Sequence, residues 1–450
     1  GSTCVSRSFA QKGSNNMQQD FWASDATEMA KLVRHGKVSS EALMRSCLDR
    51  ISECDGSVEA WEFLKPDLAI SAARDRDTNP TRGALHGVPV AIKDLIDTAN
   101  MPTTYGSPIY LENRPRRDAA CVKRLLDAGA VIIGKTVTTE FATFRPGKTH
   151  NPHNPSHTPG GSSSGSAAAV ASGMTPLALG TQTVGSIIRP AAFCGVFGFK
   201  ATQGSLDLDG IKPLATELDS LGCFTRSIRD AVLWHSVMTN GMPAPKKIET
   251  PTPKVALIRT ANWCDASEES RSTVLSAAEK LTNRGIAISE PKFPAAFDEL
   301  AACQDIIFTR GAFTALRDEW SHHRDKISPQ LAELLVRGEA ISDRALANAR
   351  KTADACRKIL SNLFRSTDLI LTPATRGEAP FGLTATGDPL FNRPWTLMLG
   401  PCATLPNSIG PNGLPVGIQL VGARNQDSKF LTDVARIADC LGLEGNIPPV

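Results

Sequence analysis

The sequence has almost no charge of one sign to spare: 49 Lys and Arg stand against 46 Asp and Glu, a net charge of +3. So small an imbalance excludes the basic field that holds a nucleic-acid backbone, and there is no acidic tail. No run approaches the roughly 18 uninterrupted apolar residues of a membrane span. The opening GSTCVSRSFAQKGSNNMQQ is polar and lacks the apolar stretch of a secretory signal. Glycine and proline, 35 and 30 residues, stay well under the roughly 25–30% of a low-complexity chain. The eleven cysteines are scattered from Cys4 to Cys440, with only Cys47 and Cys54 close together and no C-x-x-C spacing. That argues against a disulfide framework and for reduced thiols packed as small apolar groups. A folded, soluble, cytoplasmic protein is expected.

At 450 residues the chain exceeds the roughly 250–300 that one core serves. It therefore holds two modest domains, or one large α/β sheet carrying a helical insertion. Apolar spacing predicts helices over 26–35 and 39–55, the second with Ser39 and Ser40 as candidate caps and Leu43, Cys47, Leu48 and Ile51 on one stripe. A strand-like run, Val88-Pro-Val-Ala-Ile-Lys-Asp-Leu, precedes a helix near 118–128 and a short buried strand at 130–133. This alternation predicts an α/β sheet. Residues 158–200 differ in kind, being rich in Gly, Ser and Ala, with only Arg189 and Lys200 ionisable. A solvated linker would not carry their AAAVA, LALG and GVFGF runs, so the stretch reads as buried packing around an active centre. From about 245 to 365 charged helices are expected, at 267–284, 296–320 and 343–364. Strand signals return at 369–371, 403–405 and 416–421, before a terminal helix at 427–441. No internal repeat is evident.

Several motifs invite readings that their context opposes. Gly129-Ala-Val-Ile-Ile-Gly134-Lys135-Thr136 spells the phosphate-loop pattern, which would predict ATP affinity and Mg²⁺ dependence. A phosphate cradle needs a loop whose N–H groups all face the anion, whereas a Val-Ile-Ile trio prefers an extended buried strand. The strand ending in a Gly turn is the better reading. His150, His153 and His157 have no Cys or carboxylate among them, so loop roles are favoured over a zinc site. Neither Gly160-Gly-Ser162-Ser-Ser-Gly165 nor Gly185-Ser186-Ile-Ile matches the G-x-S-x-G elbow of a Ser–His–Asp hydrolase.

What remains is a lysine and a set of serines in apolar, Gly-rich settings. Lys93 closes the run Val90-Ala91-Ile92-Lys93-Asp94. Buried, it would have a lowered pKa and could act as a base. On composition alone, a solvated lysine paired with Asp94 or Asp97 is the ordinary reading. Gly160-Gly161-Ser162-Ser163-Ser164-Gly165-Ser166 feeds a helix start, and Thr181-Gln-Thr-Val-Gly185-Ser186 offers successive N–H groups beside a hydroxyl. Either could stabilise negative charge; either could equally be a tight turn against a packed backbone.

At these residues the sequence resembles the amidase signature family of Ser–cisSer–Lys amide hydrolases. The resemblance rests on three blocks: Gly87-Val-Pro-Val-Ala-Ile-Lys93-Asp-Leu-Ile-Asp, Thr158-Pro-Gly-Gly-Ser162-Ser-Ser-Gly-Ser, and Gly180-Thr-Gln-Thr-Val-Gly-Ser186-Ile-Ile-Arg-Pro. Phe391-Asn-Arg-Pro-Trp395 and Gly413-Leu-Pro-Val-Gly-Ile-Gln-Leu-Val-Gly422 add to it, so that it covers roughly 25–440. It implies an α/β fold with a large mixed β-sheet covered by helices on both faces. It also implies Ser186 as nucleophile, Lys93 as ultimate base and Ser162, after a cis peptide bond, as proton relay. The N–H groups of Thr183, Val184, Gly185 and Ser186 would form the oxyanion hole. No metal or organic cofactor is implied. The partner would be a small-molecule amide, with esters and carbamates (urethanes) as related substrates, and homodimers are frequent in the family.

On this basis residues 1–24 form a polar leader of tag or disordered character, and 25–243 the amidase core. Residues 244–365 form a helical insertion or cap shaping the entrance, and 366–450 return to the core sheet. Two alternatives share the scaffold: the glutaminase subunit of a tRNA-dependent amidotransferase, and a catalytically silent binding protein. One departure stands out. Many members carry Asp, Gly and Arg where this chain has Gln182, Val184 and Ile188, with an arginine displaced to Arg189. The buried Asp–Arg pair of the family is thus expected to be absent, or rebuilt from Gln182 and Arg189.

Overall fold

The computed structural model describes residues 20–78, 83–240 and 251–443; the polar leader lies almost wholly outside them. Eleven strands form one mixed sheet: β1 (Trp61–Leu64), β2 (Pro89–Lys93), β3 (Val131–Thr136), β4 (Leu177–Gln182), β5 (Phe197–Lys200), β6 (Ser220–Thr225), β7 (Val255–Leu257), β8 (Ile288–Ser289), β9 (Leu369–Pro373), β10 (Cys402–Ile409) and β11 (Pro415–Gly422). Across the sheet they run β1-β3-β2-β4-β6-β5-β10-β11-β9-β7-β8. β2 is parallel to both β3 and β4, so these three strands end on the same side. Their residues are buried throughout, which explains why each reads as a near-continuous apolar run rather than an alternating one. The phosphate-loop spelling dissolves into β3. Its Gly134 lets β1 approach, since a Cβ there would lie 2.6 Å from the Phe63 carbonyl oxygen.

Helices cover both faces. Ile188–Cys194 packs its Ala192 against Gly417 on one side of β11, while Asp427–Leu441 lays Phe430 over Gly422 and Phe199 on the other. The terminal helix has the bounds expected from sequence. Helices Ala26–Arg34 and Ser40–Val58 also form, and Ser39 accepts a hydrogen bond from the Ala42 N–H as an N-cap. No helix among the described residues is long and apolar enough to cross a membrane. The ten described cysteines are all free.

The stretch 244–365 contributes more than helices. β7 and β8 extend the sheet edge, in parallel with β9. At three and two residues they are too short to carry a periodic signal. The segment expected as one helix over 296–320 breaks into Leu300–Ala315 and Arg317–His322, and a further helix, Pro329–Ala340, follows the N-cap Ser328. With Asp343–Leu363 these helices bury Phe308, Leu335 and Leu360 in a core shared with Trp395, Val184 and Ile188. These helices and the turn after β4 therefore share one core.

Candidate active site

Lys93 is the last residue of β2, and the parallel register sets it beside the ends of β3 and β4. Ligand crevices form at this carboxyl end of parallel strands in α/β sheets. The lysine is fully buried, not solvated. Its Nζ lies 2.7 Å from Ser162 Oγ and 2.8 Å from Thr181 Oγ1. The carboxylates it was expected to meet are engaged elsewhere. Asp94 points to the other face of the strand, where its Oδ1 is 3.2 Å from the buried Lys135 Nζ, and Asp97 accepts from Tyr105 Oη. Lys135, the lysine of the phosphate-loop spelling, thus serves the architecture, because it neutralises Asp94 and leaves Lys93 among hydroxyls. Burial holds the Lys93 amine well below the usual lysine range, opposed by the more distant Asp219 carboxylate.

Ser162 follows the Gly-rich turn into the helix Ser164–Ala171, and the Gly161–Ser162 peptide bond is cis. Its carbonyl accepts from the Thr139 N–H. Ser186 sits in the turn between β4 and the helix Ile188–Cys194. It is 7% exposed, and its hydroxyl makes no hydrogen bond among the described residues. The structure thus joins Lys93 to Ser162 and to Thr181 of β4, and Ser186 lies in the buried turn that follows that strand.

The turn itself is held from behind. The carbonyls of Thr183, Val184 and Gly185 accept from Gln304 Nε2, Thr396 Oγ1 and the Arg189 N–H. With the carbonyls so committed, the N–H groups of Thr183, Val184, Gly185 and Ser186 find no acceptor among the described residues. Adjacent unclaimed donors of this kind can stabilise a developing negative charge. A side chain at Gly185 would force Asn392 to move, because its Cβ would lie 2.3 Å from Asn392 Oδ1. Arg189 reaches back from the following helix: its Nη2 donates to the Gly161 carbonyl at 2.8 Å and its Nε to the Thr386 carbonyl at 2.8 Å. Burial pulls its pKa down to about 10, which leaves it charged at neutral pH.

Gln182 and Arg189 do not rebuild the family's ion pair. Gln182 Oε1 accepts from the N–H groups of Ile187 and Ile188, at 2.8 and 3.0 Å, and its Nε2 donates to Thr396 Oγ1 at 2.9 Å. A neutral amide does the tethering that a carboxylate would do, and Thr396 passes the restraint on to the Val184 carbonyl. In Gln182→Leu, two buried N–H groups lose their acceptor, at about 1–3 kcal/mol for each unsatisfied group. We expect a lower denaturant midpoint with an unchanged slope, measured by urea unfolding.

The three histidines of the 150–157 loop give ring nitrogens to the carbonyls of Pro155, Cys194 and Ala379, and the described residues contain no metal-ligand cluster. Phe141 is buried edge-on against Tyr110, Phe144 meets Phe308, and Arg324 stacks over Trp320. Sequence reasoning missed Thr181, Asp219, Gln304, Asn392 and Thr396. Thr181, Asn392 and Thr396 lay in or beside a quoted block without these contacts being read from it; nothing marks Asp219 or Gln304. A cavity of about 200 Å³ is lined by Thr181 and Thr183 together with Leu95, Ile211, Leu214 and Asp219.

The Amidase family model matches residues 42–431. The A subunit of glutamyl-tRNA(Gln) amidotransferase from Halothermothrix orenii is 30% identical over 474 residues, covering 94% of this chain and 98% of that protein. The protein of the same name in Salinispora tropica is 31% identical over 486 residues, with the same coverage. Among solved structures, one described as an amidase superposes with a TM-score of 0.84 at 29% identity, over 92% of this chain and 99% of its own. Native peptide amidase from Stenotrophomonas maltophilia does so with a TM-score of 0.78 at 27% identity, over 95% and 98%. Since the matched span runs through every segment that builds this site, the chain belongs to the amidase family and is an amide-cleaving hydrolase.

Proposed function

We propose that this enzyme hydrolyses the C–N bond of small to medium carboxylic amides through an acyl-enzyme on Ser186, with Lys93 as base and Ser162 as relay. The observation that carries the reading is the 2.7 Å contact between the buried Lys93 Nζ and Ser162 Oγ. A serine is a poor nucleophile until a base takes its proton. A lysine can do so only when neutral, which burial without a carboxylate partner favours. Ser162 passes the Ser186 proton to Lys93 as Ser186 Oγ attacks the carbonyl carbon, and the unclaimed N–H groups of 183–186 receive the oxyanion. Collapse breaks the C–N bond, the amine leaves with the proton returned through Ser162, and water releases the acid by the same route. The helices of the 295–363 region shape the entrance. Esters and carbamates fit the same tetrahedral intermediate.

The test is a panel of primary amides, esters and carbamates graded in acyl size, with ammonia, alcohol or acid release measured. Turnover of several small amides without added metal or partner is expected; turnover of none would sink the reading. The curated relatives favour a second reading, a glutaminase subunit. It predicts glutamine as the preferred amide and weak activity until a partner copurifies. The altered Gln182–Ile188 segment counts against it.

A further inference from the structure

Thr183, the first residue of the turn, is gripped at two points from outside its own segment. Its Oγ1 donates to Asp219 Oδ1 at 2.6 Å, and Asp219 is in turn fixed by the N–H groups of Leu214 and Ala215. Its carbonyl accepts from Gln304 Nε2 at 3.2 Å. Gln304 belongs to the helix Leu300–Ala315 of the cap, is fully buried, and accepts through Oε1 from Arg393 Nη1 at 2.5 Å. Arg393 also reaches Asp305 at 3.2 Å, on the same helix. A buried primary amide whose two ends are both used is held rigidly. Here the held object is a peptide plane: fixing the Thr183 carbonyl fixes the direction of the Val184 N–H in the same plane.

We propose that Gln304, with Asp219 acting on the same residue, is a positioning residue for the oxyanion turn, so that the cap helix takes part in transition-state stabilisation without touching substrate. This rests on the assignment of Ser186 as nucleophile. Donor direction is what matters at an oxyanion, because an N–H aimed wrongly contributes to neither ground nor transition state. A misplacement of about 1 Å can cost roughly 10²-fold in rate. Asp219 has a further link to the same chemistry, being the carboxylate that bears on Lys93.

The experiment compares wild type, Gln304→Glu and Thr183→Val on one amide substrate. Gln304→Glu keeps shape and the Arg393 contact but sets an acceptor against the Thr183 carbonyl; Thr183→Val keeps volume and removes the hydroxyl bound to Asp219. Rates are normalised to active sites counted by phosphonyl fluoride labelling, and affinity is measured for a boronic acid, which mimics the tetrahedral state. We expect kcat per active site to fall roughly 10²-fold in Gln304→Glu and less in Thr183→Val. KM should stay within about threefold, and boronic acid affinity should weaken in step with kcat/KM. If per-site kcat and boronic acid affinity stay within twofold in both variants, or if only the count of active sites drops, the residues are merely structural and the inference is overturned. If Gln304→Glu yields no folded protein, Gln304→Met, which removes the donor without adding charge, decides by the same readouts. A Ser186→Ala enzyme that retains activity would instead remove the assignment on which the inference stands.

Discussion

Ser186→Ala abolishes amide hydrolysis, with kcat falling by roughly 10⁴-fold or more, and removes the mass adduct that a phosphonyl fluoride leaves on the wild type. The expectation follows from the chemistry of the turn. Loss of Oγ removes the hydroxyl of the turn that has no hydrogen-bond partner among the described residues, while the turn keeps its hydrogen bonds to Gln304, Thr396 and Arg189. The variant should therefore unfold at the wild-type denaturant midpoint. Intact mass and peptide mapping distinguish the roles of the two serines. An adduct on Ser162 would reverse nucleophile and relay; no adduct on a protein that turns over amides would remove the acyl-enzyme altogether.

Lys93→Arg should be as inactive as Lys93→Met, a loss of roughly 10²–10⁴-fold, although arginine keeps charge and donors. A guanidinium does not deprotonate in proteins, so it cannot accept the Ser162 proton. The wild type should show kcat/KM rising with pH and then levelling, because burial depresses the Lys93 pKa and the reactive form is the neutral amine above that value. The acid limb should vanish in the residual activity of Lys93→Met. Stability has its own sign. The unfolded lysine keeps a pKa near about 10.4, so below that value the unfolded chain holds a proton that the buried residue gives up. The penalty grows as pH falls toward the depressed folded value and is absent above the unfolded one. Lys93→Met, which retains the apolar stem, should thus be no less stable than wild type at neutral pH by urea unfolding, despite being inactive. A midpoint well below wild type would mean that Lys93 is there for structure.

Legibility divided along a physical line. Lys93, Ser162 and Ser186 were singled out through the family resemblance; the Gly-rich turns around the two serines drew notice on their own, whereas Lys93 closes an ordinary strand. The strands β2, β3 and β4 were readable because buried parallel strands write apolar runs. The supporting residues were not. Gln304 stands 121 positions from the carbonyl it holds, in a helix whose other residues explain its amphipathic pattern. Gln182 was legible as a departure, yet not in its consequence: whether an amide pairs with Arg189 or with two N–H groups depends on where the next helix begins. Lys93 looked solvated because Asp94 adjoins it, and only the buried Lys135 across the sheet shows where that carboxylate turns.

The core shared by cap and serine turn also bears on how such an enzyme can diversify. Residues such as Phe308 and Leu335 pack with Val184 and Ile188, and Gln304 holds the Thr183 carbonyl. A helical region packed this way is not a detachable cassette. A graft that placed another side chain at position 304 would release the Thr183 carbonyl along with repacking the helices. Lineages exploring new substrates should change the loop around 208–216 more freely than the inner face of Leu300–Ala315, from which Gln304 holds the Thr183 carbonyl.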